Sequence, residues 1–162
     1  MARHMYTVGA SDNGAEGAAL TASGWTLEGN AFSVRPKSYG TTNVATDFNP
    51  DLVTVPLVRL FHPNTGSHLL SVSESEVINI ARGDWLLESL NLGYVFAEDP
   101  QDGSTPVYRL HNGSNNDYLY TDSLDEANVA VSNHGYVLEA DPYFWASGPD
   151  GFNYEVQRYS SP

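Results

Sequence analysis

The stretch Val58-Arg59-Leu60-Phe61 begins a pattern that decides the fold, because the chain carries this pattern three times. The stretch is followed by Asn64-Thr65-Gly66-Ser67-His68-Leu69-Leu70-Ser71, by Glu76 and by Trp85-Leu86-Leu87-Glu88. An internal repeat of this kind is a stronger guide to the fold than any local signal.

The last copy is complete, and the first copy begins halfway through the pattern. The last copy reads Tyr108-Arg109-Leu110, Tyr118-Leu119-Tyr120-Thr121, Glu126 and Gly135-Tyr136-Val137-Leu138-Glu139. The first copy has no arginine strand before its own residues. Its pieces are His4-Met5-Tyr6-Thr7, Asp12 and Gly24-Trp25-Thr26-Leu27-Glu28. The missing strand stands at the other end of the chain as Gln157-Arg158-Tyr159, so the two ends together are expected to complete one repeat.

Each copy reads as a hairpin, a short helical segment and a third strand. The three copies span about 1–54 with 153–162, 55–105, and 106–152, within a single domain covering 1–162. Because a split repeat closes a ring, we expect a mainly β protein with short helical segments in a closed, pseudo-threefold, β-trefoil-like arrangement. The helical segments leave a small three-bladed, propeller-like ring of ββαβ units as the alternative.

Two of the helical segments carry an N-terminal signal. Ser73 precedes Glu76 by three residues, and Ser123 precedes Glu126 by the same distance. In this capping box the serine hydroxyl accepts a hydrogen bond from the backbone N–H of the glutamate. The sequence therefore predicts that both helices begin directly after these serines.

Composition argues against several classes of function. The formal net charge is −13 and only 7 residues are Lys or Arg, which disfavours nucleic acid and anionic membranes as partners. The chain has no cysteine, and no apolar run approaches the ~20 residues that cross a bilayer. Residues 1–4 precede no apolar signal segment, so no signal peptide is expected in this chain. We also expect no cofactor and no bound metal.

The repeated pattern resembles DUF5648, a repeat family of unknown function. The matching pieces are Leu57 to Ser71, Pro106 to Thr121, His4 to Thr7 and Gly24 to Gly29. The chain departs from the pattern at Tyr118, which stands where His4 and His68 stand. The resemblance implies an extracellular, cell-wall- or glycan-associated accessory module.

Two sets of charged residues recur in every copy. The arginines are Arg59, Arg109 and Arg158, and the acids are Asp12, Glu76 and Glu126 together with Glu28, Glu88 and Glu139. A carboxylate can accept two parallel hydrogen bonds from a guanidinium, which suits a half-buried structural pair. We interpret these columns as scaffold, with an internal arginine–carboxylate pair in each copy that fixes the hairpin to the following strand, and with a ligand cleft as the alternative.

The turns and the aromatic residues carry the functional hypothesis. Sugar sites combine short polar groups for hydroxyls with an aromatic face for the C–H surface of the ring. The candidate ligand-binding residues are His4, His62, Asn64, His68, Trp85, His111, Asn112, Asn116, Asp117, Tyr118 and Tyr120. The sequence therefore favours a non-enzymatic, lectin-like module that binds glycans or cell-wall polysaccharide at up to three quasi-equivalent sites.

Other functions remain open at this point. A protein-binding module, such as a protease inhibitor acting through the long loop at 35–54, is the main alternative, and a homodimer is a further open question. No nucleophile elbow, phosphate-binding loop or zinc-protease motif is present, so an enzyme is not expected.

Overall fold

The protein is mainly β. The computed structural model describes residues 2–9, 13–35, 54–99, 104–146 and 154–162. The strands are β1 (His4–Thr7), β2 (Thr26–Val34), β3 (Thr54–Pro56), β4 (Val58–His62), β5 (Ser67–Ser71), β6 (Leu86–Ser89), β7 (Tyr94–Phe96), β8 (Thr105–Asn112), β9 (Asp117–Thr121), β10 (Val137–Ala146) and β11 (Tyr154–Ser160). The helices are α1 (Ala15–Ala22), α2 (Glu74–Ala81) and α3 (Leu124–His134).

The strands form three antiparallel sheets, with the strand orders β1-β11-β2, β5-β4-β6 and β3-β7-β10-β8-β9. In the first sheet, the C-terminal strand β11 lies between β1 and β2 and pairs with both. The two ends of the chain therefore share one sheet, as the split repeat predicts.

The described strands form no closed barrel. The physical reason lies in the pairing of each third strand. Strand β6 returns to its own arginine strand β4, and β10 returns to β8, so each hairpin becomes an open sheet.

Two tyrosine hydroxyls join neighbouring sheets at the edge strands β1, β9 and β5. The Tyr6 hydroxyl accepts a hydrogen bond from the backbone N–H of Tyr120 at 2.7 Å. The Tyr120 hydroxyl accepts from the N–H of Leu70 at 2.8 Å and donates to the Leu70 carbonyl at 2.6 Å. Both tyrosine side chains are fully buried, and their rings meet edge to face 5.2 Å apart. These contacts satisfy strand groups that no ladder partner reaches, which burial would otherwise penalise.

The capping prediction is confirmed for both helices. The Ser73 hydroxyl accepts from the Glu76 N–H at 3.3 Å, and the Ser123 hydroxyl accepts from the Glu126 N–H at 3.2 Å. Helix α3 ends at Gly135, whose φ of 73° is a left-handed cap that glycine adopts without strain. The caps fix the first turn of each helix, and the first turn carries the glutamate that faces the next sheet.

Gly93 lies where the loop before β7 packs tightly against the end of β2. Its φ is +143°, and a Cβ there would lie 2.5 Å from Val34 Cγ2 and 2.9 Å from the Arg35 carbonyl oxygen. Only glycine fits this position, which links the loop before β7 to the end of β2.

Candidate functional site

Each recurring arginine is held by two carboxylates from different copies. Arg59 Nε donates to Glu88 Oε2 at 2.8 Å, within its own copy. Its Nη1 and Nη2 donate to the two oxygens of Glu16, both at 2.7 Å, and Glu16 belongs to the helix of the preceding copy. Nη1 also donates to the Tyr6 carbonyl at 2.8 Å. The guanidinium therefore connects two copies.

The other two arginines have the same pair of partners, one glutamate at Nε and one helix glutamate at the two Nη atoms. The pairs are Arg109 with Glu139 (3.0 Å) and Glu76 (2.8 Å), and Arg158 with Glu28 (2.6 Å) and Glu126 (2.5 and 3.1 Å). The three helix glutamates thus link each copy to the next one around the chain.

A β-bulge positions each Nε partner. Along β2, β6 and β10, the pairing register skips Glu28 opposite Arg158–Tyr159, Glu88 opposite Arg59–Leu60, and Glu139 opposite Arg109–Leu110. A bulge leaves one residue outside the ladder and turns its side chain. The turned carboxylate reaches the arginine on the neighbouring strand.

One member of the predicted acid column is different from the expectation. Asp12 lies outside the described residues, and Glu16 makes the contact that Glu76 and Glu126 make. The signal was available in the spacing, because Glu16 precedes Trp25 by nine residues, as Glu76 precedes Trp85.

The ion pairs keep these carboxylates charged. Burial alone would raise the pKa of Glu76, but hydrogen bonds from Arg109 and other neighbours outweigh it and hold that pKa below its usual value. Glu16, Glu88 and Glu126 follow the same balance of burial against hydrogen bonds from partners that include an arginine or a histidine. A carboxylate with a lowered pKa holds no proton to give near neutral pH.

A cleft of about 650 Å³ opens between helix α3 and the sheet that the two chain ends share. Its lining includes His4, Glu28, Glu126, Tyr136 and Arg158. The cleft therefore carries charged groups from two copies, with helix side chains such as Val129 as an apolar wall.

A buried carboxylate holds His4 at the wall of this cleft. Asp117 is 0 % exposed, and its two oxygens accept from the His4 backbone N–H at 2.7 Å and from the Tyr136 hydroxyl at 2.5 Å. His4 Nδ1 lies 2.6 Å from Asp117 Oδ2, and His4 Nε2 lies 3.4 Å from Glu28 Oε2. Burial opposes the imidazolium, but the hydrogen bonds that His4 donates to these two acids outweigh it and raise the pKa of His4 to about 9. The hydrogen bond from His4 in turn lowers the pKa of Glu28 to about 2.

A second group of side chains forms an aromatic row between the second and third copies, comprising His62, Trp85, Tyr118 and His111. The ring centroids are 5.1 Å apart for His62 and Trp85, 6.1 Å for Trp85 and Tyr118, and 4.5 Å for Tyr118 and His111. Asn116 Oδ1 lies 2.9 Å from His111 Nε2. All four rings are part-exposed, so the row combines aromatic surface with polar edges.

The structure brings eight of the eleven predicted residues to these two places. His4 and Asn112 line the cleft, with Asp117 buried behind His4, and His62, Trp85, His111, Asn116 and Tyr118 lie at the aromatic row. Asn112 is largely buried, with its amide donating to the His134 carbonyl. The remaining three are elsewhere: His68 is buried against Trp25 and Phe61, Asn64 is exposed in its turn, and Tyr120 is in the core.

Three residues of the cleft were interpreted as scaffold from the sequence: Glu28, Glu126 and Arg158. Their recurrence in all copies indicates structure, and the structure gives them both a structural contact and a place on a cleft wall. The long loop of the protein-binding alternative lies mostly at 36–53, outside the described residues. Within the described ranges, no helix is long and apolar enough to cross a bilayer, and no cluster of three or more His, Asp or Glu is arranged to hold a metal ion.

Comparison with known proteins gives a family but no activity. No curated protein and no solved structure matches the chain. A family model described as a domain of unknown function, DUF5648, matches residues 1–145. This match covers the described strands and helices from β1 to nearly all of β10, without β11, and therefore the chain belongs to the DUF5648 family.

Proposed function

We propose that this protein is a non-enzymatic, lectin-like module that binds glycans, such as cell-wall polysaccharide, in clefts between neighbouring copies. The observation that carries the proposal is the aromatic row of His62, Trp85, Tyr118 and His111 with its flanking amide Asn116. Aromatic faces pack against the C–H surface of a sugar ring, and the polar edges of the row offer hydrogen bonds to hydroxyls.

An aromatic residue beside a histidine also occurs at the two other contacts between neighbouring copies, which supports up to three quasi-equivalent sites. Trp25 lies beside His68, with ring centroids 6.4 Å apart, and Tyr136 lies beside His4 through their shared acid Asp117. Each junction also has an arginine fixed by two glutamates, which presents planar polar groups in one orientation. Several weak sites on one scaffold gain avidity on a polymer.

We further propose that the three sheets form a small, propeller-like ring rather than a β-trefoil. Each sheet contains an arginine strand between two partners of its own copy. The links from Glu16 to Arg59, from Glu76 to Arg109 and from Glu126 to Arg158 run from each copy to the next. Three such links return to the starting copy, which supports a closed ring of open sheets.

The absence of catalysis belongs to the proposal. The oxygens of the recurring carboxylates accept hydrogen bonds from arginines. Because the pKa values of these carboxylates are lowered, they hold no proton to donate near neutral pH. A glycoside hydrolase needs one carboxyl group that keeps its proton. The paired acids therefore suit a binding surface better than a hydrolytic one.

Retention on immobilised polysaccharides tests the proposal, with chitin, peptidoglycan and mannan as the panel. Trp85→Ala should lower retention on the bound polymer at least about fivefold, since an aromatic contact contributes roughly 1 kcal/mol. Leu90→Ala is the matched control, because Leu90 is an exposed apolar residue (69 %) a few positions further on. Absence of retention on every polymer, or equal retention of Trp85→Ala and the wild type, would contradict the proposal.

A further inference from the structure

Two histidines at equivalent positions have different partners. His4 is held between two acids, with Asp117 at Nδ1 and Glu28 at Nε2. His68 has the second acid, Glu88, 3.5 Å from Nε2. His68 is only 5 % exposed, and its buried Nδ1 has no hydrogen-bond partner among the described residues. A buried polar atom without a partner costs free energy, so this atom needs an explanation.

The missing partner can be traced by strand position. Asp117 immediately precedes Tyr118 on β9, and the residue that immediately precedes His4 is Arg3. Asp117 of the third copy reaches His4 of the first, so Arg3 of the first copy is the residue expected beside His68 of the second. The turn before His68 does meet it, because a Cβ on Gly66 would lie 3.8 Å from Arg3 Cδ and 3.9 Å from Arg3 Nη1.

Arg3 also carries an unsatisfied donor. Its Nε is buried and has no hydrogen-bond partner within the described part of the chain. An acid fills this place for His4, whereas the residue at the corresponding strand position for His68 is the cation Arg3. A guanidinium and a protonated imidazole are both donors, and one carboxylate can accept from both at once.

We propose that Arg3 and His68 form a subsite for the carboxylate of an acidic sugar, such as a uronic acid. The inference rests on the proposed function and names the ligand class of one of its sites. The ligand carboxylate takes the role that Asp117 has for His4, and it places His68 between two acids.

The neighbouring aromatic residue extends the subsite to a sugar. Trp25 is part-exposed, and its ring centroid lies 6.4 Å from that of His68. Arg3 is also part-exposed, so the subsite is covered by two side chains that reach the surface. A sugar ring against Trp25 would direct its carboxylate inward, towards Arg3 Nε and His68 Nδ1.

Local charge favours the carboxylate although the protein is acidic overall. The formal net charge of −13 repels an anion at long range, but salt at physiological strength screens charges beyond about 8 Å. At the subsite, Glu16 and Glu88 are already engaged by Arg59. Arg3 is the cation whose buried Nε is left for the ligand.

Titration of wild-type protein with glucuronate, glucose and acetate tests the proposal by calorimetry and by the ¹⁵N signal of His68 Nδ1. Glucuronate should bind at least about tenfold more tightly than glucose, which is the effect of one charge-assisted hydrogen bond. Equal binding of glucose and glucuronate would overturn the subsite. Acetate acting as strongly as glucuronate would overturn the assignment to a sugar.

Arg3→Asp is the decisive variant because it introduces a carboxylate where Asp117 stands in the other copy. It should abolish the preference for glucuronate and should melt at a higher temperature than Arg3→Ala. Arg82→Ala, which removes an exposed arginine at the end of α2, should bind glucuronate as the wild type does. Arg3→Asp that retains the glucuronate preference, or melts no higher than Arg3→Ala, contradicts the subsite.

These outcomes separate the subsite from the proposed function. Retention on neutral polysaccharides without any preference for glucuronate leaves the lectin-like function standing and removes the subsite. The difference in melting temperature between Arg3→Asp and Arg3→Ala tests, without any glycan, whether a carboxylate beside His68 stabilises the protein.

Discussion

Asp117→Asn is the sharpest test of how the two ends of the chain are fixed. The Asp117 carboxylate is fully buried and accepts hydrogen bonds from the backbone N–H of His4 and from the Tyr136 hydroxyl, with His4 Nδ1 2.6 Å away. The amide keeps the shape but loses the charge, and it turns an NH₂ group towards one of these donors. The variant therefore weakens the contact between β1 and the third copy.

The pKa of His4 gives the magnitude. Burial alone would lower this pKa, but hydrogen bonds with Asp117 and Glu28 outweigh burial and raise it from 6.5 to about 9. A rise of that size corresponds to about 3 kcal/mol in favour of the imidazolium, shared between the two acids. Adding the hydrogen bonds that the amide cannot accept, we expect Asp117→Asn to lower the free energy of unfolding by about 2–4 kcal/mol at pH 7.

The sign of the pH dependence follows from the direction of the shift. Because the folded pKa of His4 lies above the unfolded value, its contribution is complete below about pH 6.5 and is lost as pH rises through about 9. Urea unfolding from pH 6 to pH 10 should therefore show a difference in unfolding free energy between wild type and Asp117→Asn that narrows between about pH 6.5 and pH 9.

A neighbouring acid provides the control. Asp125 is exposed in the first turn of α3, and Asp125→Asn should change the free energy of unfolding by no more than about 0.5 kcal/mol. The reasoning is refuted if Asp117→Asn is as stable as the wild type at pH 7. It is equally refuted if the gap stays constant up to pH 10.

Three further changes test the fold. Gly93→Ala should destabilise the protein by about 3 kcal/mol or more, because its φ is +143° and the Cβ would overlap neighbouring atoms, whereas Gly113→Ala meets nothing within 4 Å and should be tolerated. Glu76→Gln should lower the free energy of unfolding by about 2–3 kcal/mol in denaturant titrations, since a buried arginine loses its bidentate partner, and Glu74→Gln in the same turn should have little effect. Tyr120→Phe should cost about 1–3 kcal/mol by the same measurement, because two backbone groups of β5 lose their partner. Equal stability of any variant and its wild type would count against the corresponding contact.

The sequence predicted the order of the elements better than their closure. The split repeat predicted that the two ends of the chain complete one repeat, and the Arg158 strand β11 does pair with β1 and β2. It left a trefoil-like arrangement and a ring of ββαβ units both open, because strand pattern does not say whether a third strand pairs within its own copy or with the next. The structure shows that β6 pairs with β4 of its own copy.

The recurring acids show the same limit at the level of side chains. The sequence predicted arginine–carboxylate pairs, and the pairs are present. It did not predict that Glu88 is turned by a β-bulge, since the position of an unpaired residue depends on the register of the finished sheet. It also paired acids and arginines within copies, whereas Glu76 reaches the arginine of the next copy.

The burial of individual residues along a strand was the property that the sequence predicted least well. Tyr118 and Tyr120 are two residues apart on β9 and therefore face the same side of the sheet. Tyr118 lies next to the turn that precedes β9 and joins the aromatic row, while Tyr120 lies towards the other end of the strand and is 0 % exposed. Sequence alternation gives the side of a sheet but not the distance from its edge, so both were counted as candidate ligand contacts.

The most direct measurement is the mapping of a bound oligosaccharide by NMR. An oligosaccharide from whichever polymer retains the protein is titrated into ¹⁵N-labelled wild type and Trp85→Ala. The proposal predicts that shifts concentrate at the aromatic row, led by the Trp85 indole N–H and the His111 ring, and that they disappear in the variant. Shifts confined to residues 36–53, or shifts that persist in Trp85→Ala, would contradict binding in the cleft between copies.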